Sequence, residues 1–168
     1  MKAQQITARP GAAGDLDRIN DIYNHYVAKS PATFDIDPVT AEQRREWFGH
    51  FAPTGRYRLF VATNAERVLG FAYSGAVRPR RAYETSIETT VYVQHDALGR
   101  GIGATLYDAL FDALAGEDIH RAYAGITQPN DASVALHERF GFVRAGTYTE
   151  QGRKFGRYWD VAWFEKRL

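Results

Sequence analysis

Glycine stands at every other position in Gly99-Arg100-Gly101-Ile102-Gly103, just ahead of an apolar stripe at helical spacing: Leu106, Tyr107, Leu110, Phe111 and Leu114. Such a run turns a chain sharply into a helix and leaves the first backbone N–H groups bare, an arrangement that holds phosphate. Upstream, Glu88 lies on the segment that feeds this turn, and a carboxylate there can take a proton from a group held beside it. Earlier still, VRPRRAY sets Arg78, Arg80 and Arg81 around Pro79, and arginine offers a planar fork that pairs bidentately with a carboxylate. Downstream, QPNDASVALHERFGF carries Asn130 and His137, the latter a side chain that gives or takes a proton near neutral pH. Each has an ordinary alternative: strand glutamates face solvent, arginine clusters coat surfaces, asparagine caps helices, and a lone histidine packs within one.

The glycine run fits neither of two familiar phosphate motifs. A P-loop needs GxxxxGK and then Ser or Thr, and no such lysine follows, which argues against NTP hydrolysis. The dinucleotide fingerprint GxGxxG belongs after the first strand of a βαβ unit, whereas GxGxG here follows several strands. The chain has no cysteine, which removes disulfides, thiolate metal sites and a cysteine nucleophile. Its five histidines, at 25, 50, 95, 120 and 137, never fall in HxxxH or HExxH spacing, so no metal is expected. A net charge of +1 gives no reason to expect nucleic acid or an anionic membrane as partner. Neither a signal-peptide core nor a run of about 18 apolar residues is present, so a cytoplasmic protein is expected.

Elements must position these residues, and the periodicity supplies them. With 168 residues, 45% hydrophobic, one domain spanning 1–168 is expected. Gln5 to Ala8 reads as a first strand. Leu16, Ile19, Ile22, Tyr23, Tyr26 and Val27 form a helix with Asp15 as its N-cap. Thr40 and Gln43 make a capping box ahead of a second helix containing Trp47 and Phe48. Tyr57 to Ala62 and Val68 to Ser74 pair as a hairpin across Asn64 to Arg67, and GAVRPRRAYE is a loop. Ser86 to Val93 alternates, with Ile87, Thr89, Val91 and Val93 on one face and Ser86, Glu88, Thr90 and Tyr92 on the other. The helix after the glycine turn stops at Gly116. Arg121 to Ile126 is a strand, and a helix capped by Asn130 or Asp131 runs to Arg139. Two aromatic-rich strands, Val143 to Tyr148 and Tyr158 to Glu165, finish the chain around the basic turn GRKFG. The order is βααβββαβαββ, an α/β sheet of mixed strand direction.

The glycine turn resembles the acyl-CoA turn of the GNAT superfamily of acetyltransferases, with Gly101 and Gly103 at its two small positions. Leu98 stands where that family usually places Arg or Gln. The runs RRAYETSIETTVYV, QPNDASVALHERFGF and KFGRYWDV, with IYNHYV and TFD, resemble the phosphinothricin and methionine sulfoximine acetyltransferases over nearly the whole chain. This resemblance implies a GNAT fold: a mixed, mostly antiparallel central sheet flanked by helices, its central strands splayed at the acetyl-CoA site. It also implies a cytoplasmic homodimer that moves acetyl from acetyl-CoA to the α-amine of a small amino acid analogue by direct attack.

Acyl transfer to an amine requires the ammonium to lose its proton first, and the resemblance assigns that step to Glu88. His137 is implied as acid, second base or support. Val91, Tyr92 and Val93 would offer backbone to the pantetheine arm. Gly99, Arg100, Gly101, Ile102, Gly103 and Ala104 would take the pyrophosphate, and Asn130 a further cofactor contact. The acceptor would meet Arg78, Pro79 and Arg80 through its carboxylate, with Glu88, Thr89, Thr90, Phe34 and Tyr83 around it. Thr85 replaces the tryptophan of the phosphinothricin enzymes, which leaves the side-chain specificity open. Trp159, Trp163 and Phe164 are expected in the core or a subunit interface. Two alternatives remain: acetylation of a protein N-terminus or a polyamine, which would call for an acidic acceptor loop, and a non-catalytic acyl-CoA sensor, which would need neither Glu88 nor the arginines.

Overall fold

The computed structural model describes residues 5–65 and 67–168. Its elements are β1 (Ile6–Pro10), α1 (Leu16–Lys29), α2 (Ala41–Phe48), β2 (Leu59–Asn64), β3 (Arg67–Ala76), β4 (Ser86–Val93), α3 (Ile102–Leu114), β5 (Arg121–Thr127), α4 (Asp131–Arg139), β6 (Val143–Lys154) and β7 (Arg157–Arg167). This is the order expected from the sequence. Short 3-10 turns at Ala13–Asp15, Arg81–Tyr83 and His95–Ala97 are added in the connections. The β2–β3 hairpin forms as expected, although Glu66 within its turn lies outside the described residues, as do residues 1–4.

Local signals behave unevenly. The Thr40 capping box is complete: Gln43 N–H donates to Thr40 Oγ1 at 3.2 Å, and Thr40 N–H donates to Gln43 Oε1 at 2.8 Å. Asp15 occupies the N-cap position of α1 but makes no side-chain cap bond. Its carboxylate instead accepts from both terminal nitrogens of Arg9 at 2.8 Å and from Ala12 N–H at 2.8 Å, because a charged two-pronged donor outcompetes a helix amide. The GRKFG turn is also corrected. Gly152, Arg153 and Lys154 pair with Trp159, Tyr158 and Arg157, and the loop shrinks to Phe155 and Gly156, with φ of 54° and 74° as a tight hairpin requires. In the loop before β4, Gly75 and Ala76 extend β3, and Arg81 to Tyr83 form one 3-10 turn.

The sheet order is β1-β2-β3-β4-β5-β7-β6. All neighbours are antiparallel except β4 and β5, which the α3 crossover makes parallel. Helices cover both faces. On one, Leu16, Ile19 and Ile22 of α1 pack on Leu59, Val61 and Phe71, with Trp47 and Phe48 of α2 alongside. On the other, Leu106, Tyr107 and Leu110 of α3 pack on Ala62, Ala72, Ile87, Ala122 and Phe164, joined by Val134 and Leu136 of α4. Burying one face of each helix this way satisfies the two-sided hydrophobicity of the central strands.

Candidate active site

The parallel pairing of β4 and β5 is brief. Ser86, Ile87 and Glu88 face Arg121, Ala122 and Tyr123, and beyond Glu88 the two strands part. A cavity of about 440 Å³ fills the fork. Its lining comes from Thr89 to Val93 of β4, Ala124 to Thr127 of β5, Asn130 at the N-cap of α4, Ser133, Leu136 and His137 of that helix, and Ser30, Pro31 and Ala32 after α1. Tyr26 donates its hydroxyl to Val93 O at the far end of β4. Leu98, 60% exposed, also lines this space, one residue ahead of the glycine run. Gly99 and Gly101 both adopt φ of 75°, the left-handed region where a side chain is strained, which explains glycine at these two positions. Gly101 is the N-cap of α3 and supplies no side-chain cap, and the first turn carries no acidic residue. The turn therefore presents bare amides at the positive end of a helix.

The α3–α4 face of β4 holds a buried hydrogen-bonded chain. His137, 3% exposed, places Nδ1 2.7 Å from Ser133 O, and Nε2 2.8 Å from the Tyr107 hydroxyl. A carbonyl only accepts, so Nδ1 carries the hydrogen; Nε2 of a neutral ring then accepts from Tyr107. Burial lowers the histidine's pKa, partly opposed by the Ser133 bond, which keeps the ring neutral at pH 7. Thr89 Oγ1 lies 3.4 Å from the same Tyr107 hydroxyl. Asn130 Oδ1 accepts from Ser133 N–H at 3.2 Å and so caps α4 as expected.

Glu88 belongs to the opposite face of β4, as the alternation requires, and is half-buried at the point where the strands fork. Burial pushes its carboxyl pKa up, and the Arg78 guanidinium pulls it part of the way back. On this face an aromatic and polar lining gathers. Tyr23 donates to Asp35 Oδ2 at 2.6 Å and lies 2.7 Å from Thr33 Oγ1, and its ring meets Tyr92 edge-on at 5.2 Å. Arg44, 4% exposed, stacks over Tyr23 and Trp47 at 4.8 and 4.5 Å and donates Nε to Asn20.

A family model described as an acetyltransferase (GNAT) domain matches residues 12–163. The chain belongs to the GNAT acetyltransferases. It is 58% identical over 166 residues to a phosphinothricin N-acetyltransferase of Streptomyces coelicolor, covering 98% of this chain and 97% of the relative. An L-methionine sulfoximine/L-methionine sulfone acetyltransferase of Pseudomonas paraeruginosa is 35% identical, with 95% and 93% covered. Among solved structures, a GNAT phosphinothricin acetyltransferase from Sinorhizobium meliloti in complex with acetyl-CoA superposes with a TM-score of 0.90 at 32% identity, covering 97% of this chain and 88% of that one.

GNAT acetyltransferases use acetyl-CoA, and two features of this chain suit it: the strand edge of β4 left open beyond Glu88 and the acid-free first turn of α3. Of the residues singled out in the sequence, the cavity collects Thr89, Thr90, Val91, Tyr92, Val93, Asn130 and His137. It does not collect Glu88, the last residue of β4 paired with β5, nor Gly99 to Ala104, which stand beyond Leu98. Arg78, Pro79, Arg80 and Tyr83 are exposed outside it, and the Phe34 ring lies against Gly152 rather than on the cavity wall. Sequence reasoning missed Tyr107 and Tyr26, both read as helical stripe. Their hydroxyls are the signal, since a buried Tyr needs a partner where Phe would not.

Proposed function

We propose that the chain, acting as a single domain, transfers the acetyl group of acetyl-CoA directly to the α-amine of a small amino acid analogue of the phosphinothricin, methionine sulfoximine or methionine sulfone type. The observation that carries this is the fork between β4 and β5, with Glu88 at its base and an unpaired strand edge beside a cavity. The names of the relatives at 58% and 35% identity supply the acceptor class.

Backbone N–H groups of Gly99 to Ala104 hold the pyrophosphate. The edges of Val91, Tyr92 and Val93, with Asn130, hold the amide-bearing arm in the manner of an added strand. Bound there, acetyl-CoA supplies the activated thioester carbonyl. Arg78 and Arg80 pair with the acceptor carboxylate; Pro79, Thr89, Thr90, Phe34 and Tyr83 complete the acceptor side. Glu88 takes the ammonium proton, directly or through one water, and its raised pKa makes it a stronger base than an exposed glutamate. His137 lines the cavity: as the Tyr107 hydroxyl turns to Thr89 Oγ1, the neutral ring takes up on Nε2 the second proton that the attacking nitrogen sheds on becoming an amide, and passes it to the departing sulfur. The absence of cysteine favours direct transfer over a covalent thioester on the protein.

The proposed enzyme is a cytoplasmic homodimer without nucleic acid or membrane partners. Among the described residues no helix is long and apolar enough to cross a membrane. Among the described residues the outer edge of β6 has no strand partner, and it exposes Val143 and Tyr148, beside Phe155 and Tyr158, an apolar margin suited to a second copy. The deciding experiment follows thiol release from acetyl-CoA with phosphinothricin, methionine sulfoximine, methionine sulfone and ordinary amino acids. Acceptor-dependent release is expected with at least one of the first three; none with any would return weight to protein acetylation or to a sensor.

A further inference from the structure

After Lys29 the chain runs without helix or strand until Ala41. Yet the first part of this loop builds the site: Ser30, Pro31 and Ala32 line the cavity, and Thr33 and Asp35 fix the Tyr23 hydroxyl. A loop of this kind needs external anchors to hold one shape. One comes from β4, where Tyr92 donates its hydroxyl to Ala32 O at 3.2 Å. The other comes from the far edge of the sheet. Lys154, the last residue of β6, is 4% exposed, and its Nζ donates to Ser30 O at 2.9 Å, to Thr33 O at 2.8 Å and, more distantly, to Tyr26 O at 3.5 Å.

All three acceptors are neutral carbonyls, and among the described residues no carboxylate lies within ion-pair distance of this ammonium. An ammonium buried with no carboxylate in ion-pair contact is held chiefly by dipoles, here those at the C-terminal end of α1 and the turn after it, with the Asp35 charge acting from farther off. The acceptor carbonyls bracket the cavity-lining residues in the chain, so their positions and that of the ammonium are fixed together. Two residues earlier, Gly152 gives the Phe34 ring its seat: a methyl group on Gly152 would overlap that ring. Trp159 secures the strand itself by donating Nε1 to Lys154 O at 2.9 Å.

We propose that Lys154 and Gly152 act as a clamp through which β6 positions the Ser30 to Asp35 loop, and so set acceptor affinity and choice without touching the acceptor. The clamp rests on the acetyl-transfer reading above for its link to substrate, though not for its geometry. Lys154 is a positioning residue: it works through the loop it holds at Ser30 O and Thr33 O, and chiefly through Phe34, which the proposed function sets on the acceptor side.

The test uses the full chain carrying Lys154→Met, which keeps the aliphatic stem and removes the donors. With an acceptor the wild type acetylates, the acceptor KM is expected to rise about tenfold, the scale of a lost charge-assisted hydrogen bond, while the KM for acetyl-CoA stays within about twofold. Amide hydrogen exchange in residues 30–36 should quicken, with that of β7 unchanged. Gly152→Ala, which retains the lysine, should raise acceptor KM in the same sense by displacing Phe34, and decides the matter if Lys154→Met does not fold. Unchanged acceptor KM in a folded variant, equal rises in both KM values, or unaltered exchange in residues 30–36 would overturn the clamp. Should the wild type acetylate no acceptor at all, the exchange arm still decides the clamp, and only the acetyl-transfer proposal fails.

Discussion

On the α3–α4 side of β4 the site is made mainly of backbone: an open strand edge, a left-handed glycine turn, and helix amides. On the α1–α2 side it is made of side chains drawn from distant parts of the chain, with Tyr23, Arg44, Tyr92 and Lys154 arriving from α1, α2, β4 and β6. Backbone recognition suits a ligand that never changes, since it tolerates side-chain drift at all but the left-handed glycines. Side-chain recognition suits a partner whose identity is under choice. Acceptor specificity is therefore expected to vary on the second side while donor binding is retained on the first.

Substitutions can break that division of labour. The largest effect is expected from Glu88→Gln, which should lower kcat by about 10² to 10⁴ and leave acetyl-CoA binding, measured by titration calorimetry, intact. Burial raises the carboxyl pKa, so the unfolded chain loses this proton at lower pH than the folded one, and ionised Glu88 costs stability above that range. Glu88→Gln should thus be no less stable at neutral pH in urea, and a clear loss of stability would contradict the raised pKa; unchanged turnover at every pH would take Glu88 out of the mechanism. Next comes Gly101→Val, which forces a branched side chain into φ of 75°. A strain of about 1–3 kcal/mol should weaken acetyl-CoA while acceptor KM holds; the opposite pattern would undo the assignment of sides.

Tyr107→Phe leaves His137 Nε2 buried without its donor, at a cost of about 1–3 kcal/mol visible in the denaturation midpoint. Because Tyr107 also holds the His137 ring in place, kcat should fall, by less than in Glu88→Gln, and a solvent isotope effect should change with it. The smallest effect is a shift. Arg78 lowers the Glu88 pKa, so Arg78→Gln should move the acid limb of the kcat/KM profile to higher pH, and more so at low ionic strength, where an exposed charge is least screened. A limb that moves to lower pH would contradict the arrangement.

Local pattern carried much of this fold. The bounds of β4, Ser86 to Val93, follow from strict alternation; the Thr40 box and the Asn130 cap follow from side chains that bond amides three positions away. The glycine turn was legible because left-handed backbone leaves a compositional trace. Lys154 was not. In sequence it sits in a basic turn and reads as solvated, whereas its partners are 121 to 128 residues distant, and nothing local announces a burial created by tertiary contact. Asp15 failed as a cap for a local reason, its carboxylate being claimed by Arg9 across a turn. Side chains on the exposed loop of Arg78 to Tyr83 have positions that no periodicity encodes, which is why their grouping into one site remains the least sequence-determined part of the proposal.

The brevity of the β4–β5 contact also bears on cohesion. The sheet consists of two antiparallel ribbons, β1 to β4 and β5 to β7, stitched by three residue pairs. A donor molecule laid along the seam would brace both ribbons at once. Occupied at 100 times its dissociation constant, it would add about 2.7 kcal/mol to stability, and amide exchange at Val91 and Val93 should slow in proportion. Such a protein is at its softest between catalytic cycles, after spent CoA has left and before the next acetyl-CoA has taken its place.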